Sequence, residues 1–271
     1  MKEIEKILET NQRQKDFYNS TKKSKKNLPS RIWSSIRNGL LSDFRNHYDI
    51  KNKVYAQHKT WLGDLSEKKV LDLGCLRGNA LSIYMAKNSK EYIGIDLSDV
   101  AISDLNKKLK KENCENAKAI AIDFLSSDFQ ETDFDIIYAY GVLHHFEDFD
   151  ILISKLKEKL KHDGKIISYD PLQTSVPISI MRAVYRPFQS DKDWEWPFKK
   201  STLKKIDNNF TILDKKGVLG KSKYTILLNY LPLNKSFKNR VIKEYIEKDW
   251  NLKDTKSAYS CMHITLLLEN K

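Results

Sequence analysis

Between residues 68 and 170 the sequence alternates short apolar runs with amphipathic stretches. KKVLDLG (68–74), EYIGIDL (91–97), AKAIAID (117–123), FDIIYAYG (134–141) and KIISYD (165–170) read as strands. NALSIYMAKN (79–88), SDVAISDLNKKLKKE (98–112) and DFDILISKLKEKLKHDG (148–164) read as helices, the second capped by Ser98 and the third ended by Gly164. Strands that are apolar along their whole length must be covered on both faces. Alternation with helices makes the sheet parallel and the class α/β.

Outside this stretch the pattern changes. Apolar residues at helical spacing predict helices over 1–18, 28–44 and 50–64 before the first strand. After Asp170 comes PLQTSVPISIMRAVYRPFQSDKDWEWPFKK (171–200), with four of the six prolines. So long an interruption between sheet elements suggests a lid. The chain then predicts a helix at 200–208, strands at 209–217 and 223–230, a helix at 234–249 and a last strand at 260–269. The expected organisation is a helical arm over 1–65 and one α/β domain over 66–271, with the insertion inside it.

The net charge of +12 is uneven. Residues 1–60 hold 14 Lys and Arg against 6 Asp and Glu, so the basic character belongs mainly to the arm. Only 8 of the 48 basic residues are arginine, which argues weakly for nucleic acid. The run KKSKK (22–26) reads first as a solvated loop and second as a contact for phosphates or a membrane surface. No apolar stretch is long enough to span a membrane, and MKEIEKILETNQRQKDFY lacks the apolar centre of a signal peptide. Three scattered cysteines, Cys75, Cys114 and Cys261, fit no metal spacing and no disulfide framework, so the cytoplasm is expected and no metal is.

In a doubly wound sheet a ligand binds beyond the carboxyl ends of the strands. Polar features fall there. Gly74 ends the first strand where the chain turns, and Gly78 allows close packing at the next helix. Asp96, ending the second strand, suits two ribose hydroxyls. Asp123, ending the third, suits an exocyclic amine such as that of adenine. The loop Gly74-Cys75-Leu76-Arg77-Gly78 breaks the dinucleotide pattern G-x-G-x-x-G, with Leu76 where a glycine is common. Asp72 just before it would repel phosphates but suits an ammonium or sulfonium group.

Taken in order, VLDLGCLRGNAL, YIGIDLSD, AIDF, FDIIYAYGVLHHFED and LKHDGKIISYDP resemble the motifs of class I S-adenosylmethionine-dependent methyltransferases over about residues 66–172. The resemblance implies a Rossmann-like, doubly wound, seven-stranded, mostly parallel sheet whose last strand is antiparallel. It implies S-adenosylmethionine as cofactor and S-adenosylhomocysteine as product. By position, Asp72, Gly74 and Gly78 surround the methionine moiety, with Cys75 beside them. Asp96 takes the ribose, with Leu97 next to it. Asp123 and Phe124 take the adenine, and Tyr140 lies near the ligand. Leu76 is expected to reshape the loop without abolishing binding.

Methyl transfer needs an aligned acceptor and a group to take its proton. His144 and His145, after the fourth strand, have the right range for a base, with one of the two expected to be structural. Asp170 is a weaker candidate, since it also reads as a turn carboxylate before Pro171. Asn/Asp-Pro-Pro-Tyr, frequent in methyltransferases acting on amides or nucleobases, is missing from AYGVLHH, which favours a small molecule with a hydroxyl. Arg182, Arg186 and Trp194 in the insertion, with Trp196, either grip the acceptor or pin the insertion. Tyr18, Arg31, Trp33 and Arg37 of the arm either complete a lid or cap the sheet edge. Two other readings are a tRNA or rRNA methyltransferase and a non-catalytic binding protein on the same fold. The acceptor itself and the oligomeric state stay open.

Overall fold

The computed structural model describes residues 2–19, Ser35, Gly39, 41–189 and 192–271. One seven-stranded sheet organises it. The strands are β1 (Lys69–Leu73), β2 (Glu91–Asp96), β3 (Ala117–Ala121), β4 (Phe134–Tyr140), β5 (Leu160–Pro171), β6 (Phe210–Val218) and β7 (His263–Asn270). Their order is β3-β2-β1-β4-β5-β7-β6, with β7 antiparallel to both of its neighbours. The direction of winding reverses between β1 and β4, so the carboxyl ends of these two strands open a crevice.

Helices cover both faces. Before the sheet come α1 (Lys2–Asn19), α2 (Leu41–His47) and α3 (Ile50–Leu62). Between strands lie α4 (Ala80–Asn88), α5 (Asp99–Lys111) and α6 (Phe149–Lys159). The later part holds α7 (Val176–Tyr185), α8 (Lys200–Asn209) and α9 (Lys235–Trp250). Ser98 caps α5 by accepting the Ala101 N–H, as its sequence position suggests. Leu71, Ile93, Ile137 and Ile166, on four neighbouring strands, are fully buried in one core, and Val70, Tyr92, Tyr138 and Ile167 in the core on the other face. This is the double covering that the unbroken apolar runs require.

Two expectations are corrected. The helix before β5 ends at Lys159, not at Gly164, and Leu160 already pairs with Phe134 in the sheet. Gly164 instead serves a bulge: a Cβ there would meet Leu160 at 2.7 Å and the Phe134 carbonyl at 2.9 Å. The strand expected at 223–230 is a run of 3-10 turns over Lys221–Tyr230. Asp249 accepts the N–H groups of Lys221 and Ser222, both at 2.8 Å. The Lys223 ammonium donates to the carbonyls of Gly220 and Ser260, both at 2.6 Å. Such local bonds draw the backbone out of an extended ladder. The helix expected over 28–44 falls mostly outside the described residues, and α2 begins within its last part. Among the described residues no helix is long and apolar enough to cross a membrane.

Candidate active site

The crevice above β1 and β4 is a cavity of about 320 Å³, within the usual size of a small-ligand site. The glycine loop forms one wall. Gly74 has φ 68°, and a Cβ there would meet Val142 Cγ2 at 2.5 Å, so the tight turn and the close approach both require glycine. Leu76 has φ 48°, the left-handed region that side chains avoid. Its N–H donates to Asp96 Oδ2 at 3.0 Å, which fixes the strained turn. Leu76 is 39% exposed at the cavity rim.

The expected residues Gly74, Cys75, Gly78, Asp96, Leu97, Asp123, Phe124, Tyr140 and His145 all line this cavity. Asp96 Oδ1 accepts the Ser98 N–H at 2.9 Å, and burial raises its carboxyl above the ordinary range. Asp123 Oδ1 accepts the Leu125 N–H at 2.9 Å. Each carboxylate has about four acceptor sites, so both retain capacity for a ligand. Burial holds the Cys75 thiol protonated, so it offers packing, not nucleophilicity.

Asp72 does not line the cavity. It lies behind the loop, 2% exposed, accepting the Tyr92 hydroxyl at 2.7 Å. Burial pushes it up to about 6, against the pull of Ser82 and Tyr92. Sequence reasoning missed Asn11 and Gln14 on α1 and Tyr55 on α3, which also line the cavity. Asn11 Nδ2 donates to Asp123 Oδ2 at 2.5 Å, and Lys15 pairs with Asp99 at 2.8 Å. Nothing local in α1 marks Asn11 as special, because its partner is 112 residues away.

A second cavity, of about 370 Å³, adjoins the first and shares Tyr140 and Gly141 with it. His144 and Arg182 line it, together with Arg45, Tyr169, Glu195 and His263. The two histidines therefore part company. His144 Nδ1 lies 2.9 Å from Asp170 Oδ1, and Asp170 is fully buried. Burial pushes Asp170 up to about 7. His145 turns to the first cavity, with Nδ1 2.6 Å from the Trp194 carbonyl.

The insertion residues also divide. Trp194 is buried, 5.2 Å from the Phe17 ring of α1, and so pins the insertion to that helix. Arg186 donates to the Lys192 carbonyl at 3.0 Å and lines neither cavity. The Trp196 N–H donates to the His144 carbonyl at 2.7 Å, so this tryptophan holds the histidine loop through its backbone. Arg31, Trp33, Arg37 and the KKSKK run lie outside the described residues, as does the side chain of Tyr18.

Residues 64–217 match a family described as a methyltransferase domain, which is over half of the chain. The chain belongs to the class I S-adenosylmethionine-dependent methyltransferases. A protein of Haemophilus influenzae described as uncharacterized is 32% identical to this chain over 110 residues, 39% of this chain and 43% of that protein. The (S)-coclaurine N-methyltransferase of Papaver somniferum is 29% identical over 99 residues, 36% of this chain and 28% of that enzyme. The chain thus matches less than half the length of either relative. Geranyl diphosphate C-methyltransferase of Streptomyces coelicolor has the same fold, with TM-score 0.58, 13% identity and coverage of 97% and 98% of the two chains.

Proposed function

We propose that this chain transfers a methyl group from S-adenosylmethionine to a hydroxyl oxygen of a small molecule, in the cytoplasm. The observation that carries the reading is the join of the two cavities. One has a carboxylate at each of two strand ends; the other has a buried histidine–carboxylate pair, and Tyr140 and Gly141 border both. Free cysteines that are all buried agree with a reducing compartment.

The residues present fit the cofactor. Asp96 would hold the ribose and Asp123, beside Phe124, the adenine amine. Gly74, Cys75 and Gly78 would pass along the methionine part, while Asp72 adds negative charge from behind the loop. The cofactor supplies an electrophilic methyl on a sulfonium. The chain aligns the acceptor and takes its proton. With its Nδ1–H donated to Asp170, His144 presents Nε2 as the basic atom. His145, bonded to the insertion's backbone, is the structural member of the pair.

Residues 1–65 and the 171–200 insertion act in this reading as a two-part cover. Phe17 on α1 meets Trp194 of the insertion, and Asn11 reaches into the cofactor cavity. Sugars, lipid precursors and secondary metabolites all offer the required hydroxyl.

The deciding experiment is calorimetry with S-adenosylmethionine and S-adenosylhomocysteine. Saturable binding of both supports the enzyme reading, and binding of neither defeats it.

A further inference from the structure

The second cavity has a composition that a neutral acceptor does not need. Its floor is a row of rings on three adjacent strands. Tyr140 of β4 stacks on Tyr169 of β5, with centroids 4.8 Å apart and planes 10° apart. Tyr169 in turn stacks on His263 of β7, at 5.2 Å and 7°. This ladder follows from the register, which sets Tyr140 opposite Tyr169 and brings the start of β7 beside the end of β5.

Two guanidiniums from separate elements converge on this floor. Arg45 comes from α2, ahead of the sheet, and Arg182 from α7, inside the insertion. Both bear on the same ring. Burial first, then the charges of Arg45, Arg182 and His144, bring His263 down to about 3, so the ring stays neutral. Its Nδ1 is buried with no hydrogen-bond partner among the described residues. Among the described lining residues Glu195 is a carboxylate, and the Gln189 amide donates to it at 2.5 Å. Arg45 Nε donates to the Leu41 carbonyl at 3.2 Å, and each guanidinium carries five donors, so a partner already in place leaves donors for a ligand. Arginine forks match the oxygens of carboxylates and phosphates.

We propose that the methyl acceptor carries an oxyanion, a carboxylate or a phosphate, which Arg45 and Arg182 grip above the Tyr140–Tyr169–His263 floor. The anion fixes one end of the acceptor, and its hydroxyl is thereby directed towards His144 and the Tyr140–Gly141 border with the first cavity. The flat floor suits an acceptor whose anionic end sits on an unsaturated or ring-shaped body. This inference rests on the proposed methyltransferase reading for its account of what the anion does, but binding of the anion is measured by itself.

The test uses the full chain with S-adenosylhomocysteine present at saturation. Benzoate, phenyl phosphate and neutral benzamide are titrated by calorimetry or ligand-observed magnetic resonance. At least one of the two anions should bind tenfold or more tightly than benzamide, and which one does so distinguishes carboxylate from phosphate. Arg45→Gln and Arg182→Gln should each weaken that binding tenfold or more, while Arg45→Lys should retain part of it. Binding of S-adenosylhomocysteine should be the same in all variants, which shows that they are folded. Equal affinity for benzamide and both anions, no binding of either anion, or anion binding indifferent to both arginines would overturn the inference. If S-adenosylhomocysteine itself does not bind, the cofactor reading fails, and the same anion titrations on the protein alone still decide between the two outcomes.

Discussion

Nδ1 of His144 lies 2.9 Å from Oδ1 of Asp170, and the same oxygen accepts the His144 backbone N–H at 3.2 Å. The carboxylate thus fixes both the ring and the loop that carries it. A group without solvent exposure gives such an orientation little freedom. If the pair takes the acceptor's proton, His144→Ala should lower kcat by about 10²–10⁴, the usual contribution of a positioned base. His145→Ala, which removes a bond to the Trp194 carbonyl, should change kcat far less. Burial raises Asp170 to about 7, so the rate should climb with pH through an apparent value near neutrality that belongs to the pair. Asp170→Asn should move that limb, because only the imidazole then titrates, and should lower kcat. A profile identical in Asp170→Asn and the parent protein would rule the pair out.

Leu76 at φ 48° carries a strain of roughly 1–2 kcal/mol relative to an ordinary backbone. Glycine would relieve it, at an entropic cost of roughly 0.5–1 kcal/mol. Leu76→Gly should therefore be neutral or stabilising by up to about 1.5 kcal/mol. Leu76→Val, branched at Cβ, should destabilise by more than its loss of volume explains. Urea unfolding of the three proteins measures this. A loss of more than 1 kcal/mol in Leu76→Gly would mean that the leucine side chain stabilises the loop by contacts at the rim.

Asp96 joins the loop to the cavity, through the N–H groups of Leu76 and Ser98. A charge-assisted hydrogen bond contributes roughly 1.5–3 kcal/mol, so Asp96→Ala should weaken S-adenosylhomocysteine binding at least tenfold. Asp96→Asn, which keeps an acceptor for the loop, separates loss of the ligand contact from collapse of the turn. Unchanged affinity in both variants would remove Asp96 from the site.

These residues also show where the sequence is legible. Asp96 and Asp123 can be placed because each ends a strand whose apolar pattern is unmistakable, and strand ends in such a sheet face the crevice. The same logic finds His144, His145 and Asp170, all at the ends of β4 and β5. It does not find Asn11, Arg45 or Tyr55, because helices that precede the sheet carry no register relating them to it. It also errs at 223–230, expected as a strand, because Asp249, more than 20 residues away, captures the backbone at Lys221 and Ser222. Asp72 reads from position alone as a ligand contact, yet its side chain turns beneath the loop to Tyr92. A strand residue's face, more than its neighbourhood, decides what it touches.

His58 ties α3 to the sheet and gives a pH-dependent test of the fold. Thr265 Oγ1 donates to the Ser168 carbonyl at 2.6 Å, so it accepts from His58 Nε2–H at 2.7 Å. His58 Nδ1 then accepts the Tyr138 hydroxyl at 3.1 Å. The ring is fully buried and neutral, and burial lowers it from 6.5 to about 3. Between those values the unfolded chain binds a proton that the folded chain refuses. Stability from this group is therefore full above 6.5 and is lost as pH falls towards 3, by up to about 1.4 kcal/mol per pH unit. Asp72 and Asp170 act in the opposite sense. Their raised folded values make their contributions complete below about 3.8 and lost as pH rises through about 6 and 7. The total profile is thus a balance, but subtraction isolates the histidine. His58→Gln can still donate to Thr265 and accept from Tyr138, and it does not titrate. It should be less stable than the parent at pH 8 by about 1–3 kcal/mol, the cost of imperfectly satisfied buried groups. Below pH 6.5 the gap should narrow by about 1 kcal/mol for each unit, as only the parent loses stability to protonation. Urea unfolding at pH 8, 6 and 5 measures the gap, and one that stays constant would show that His58 keeps its proton affinity in the folded chain.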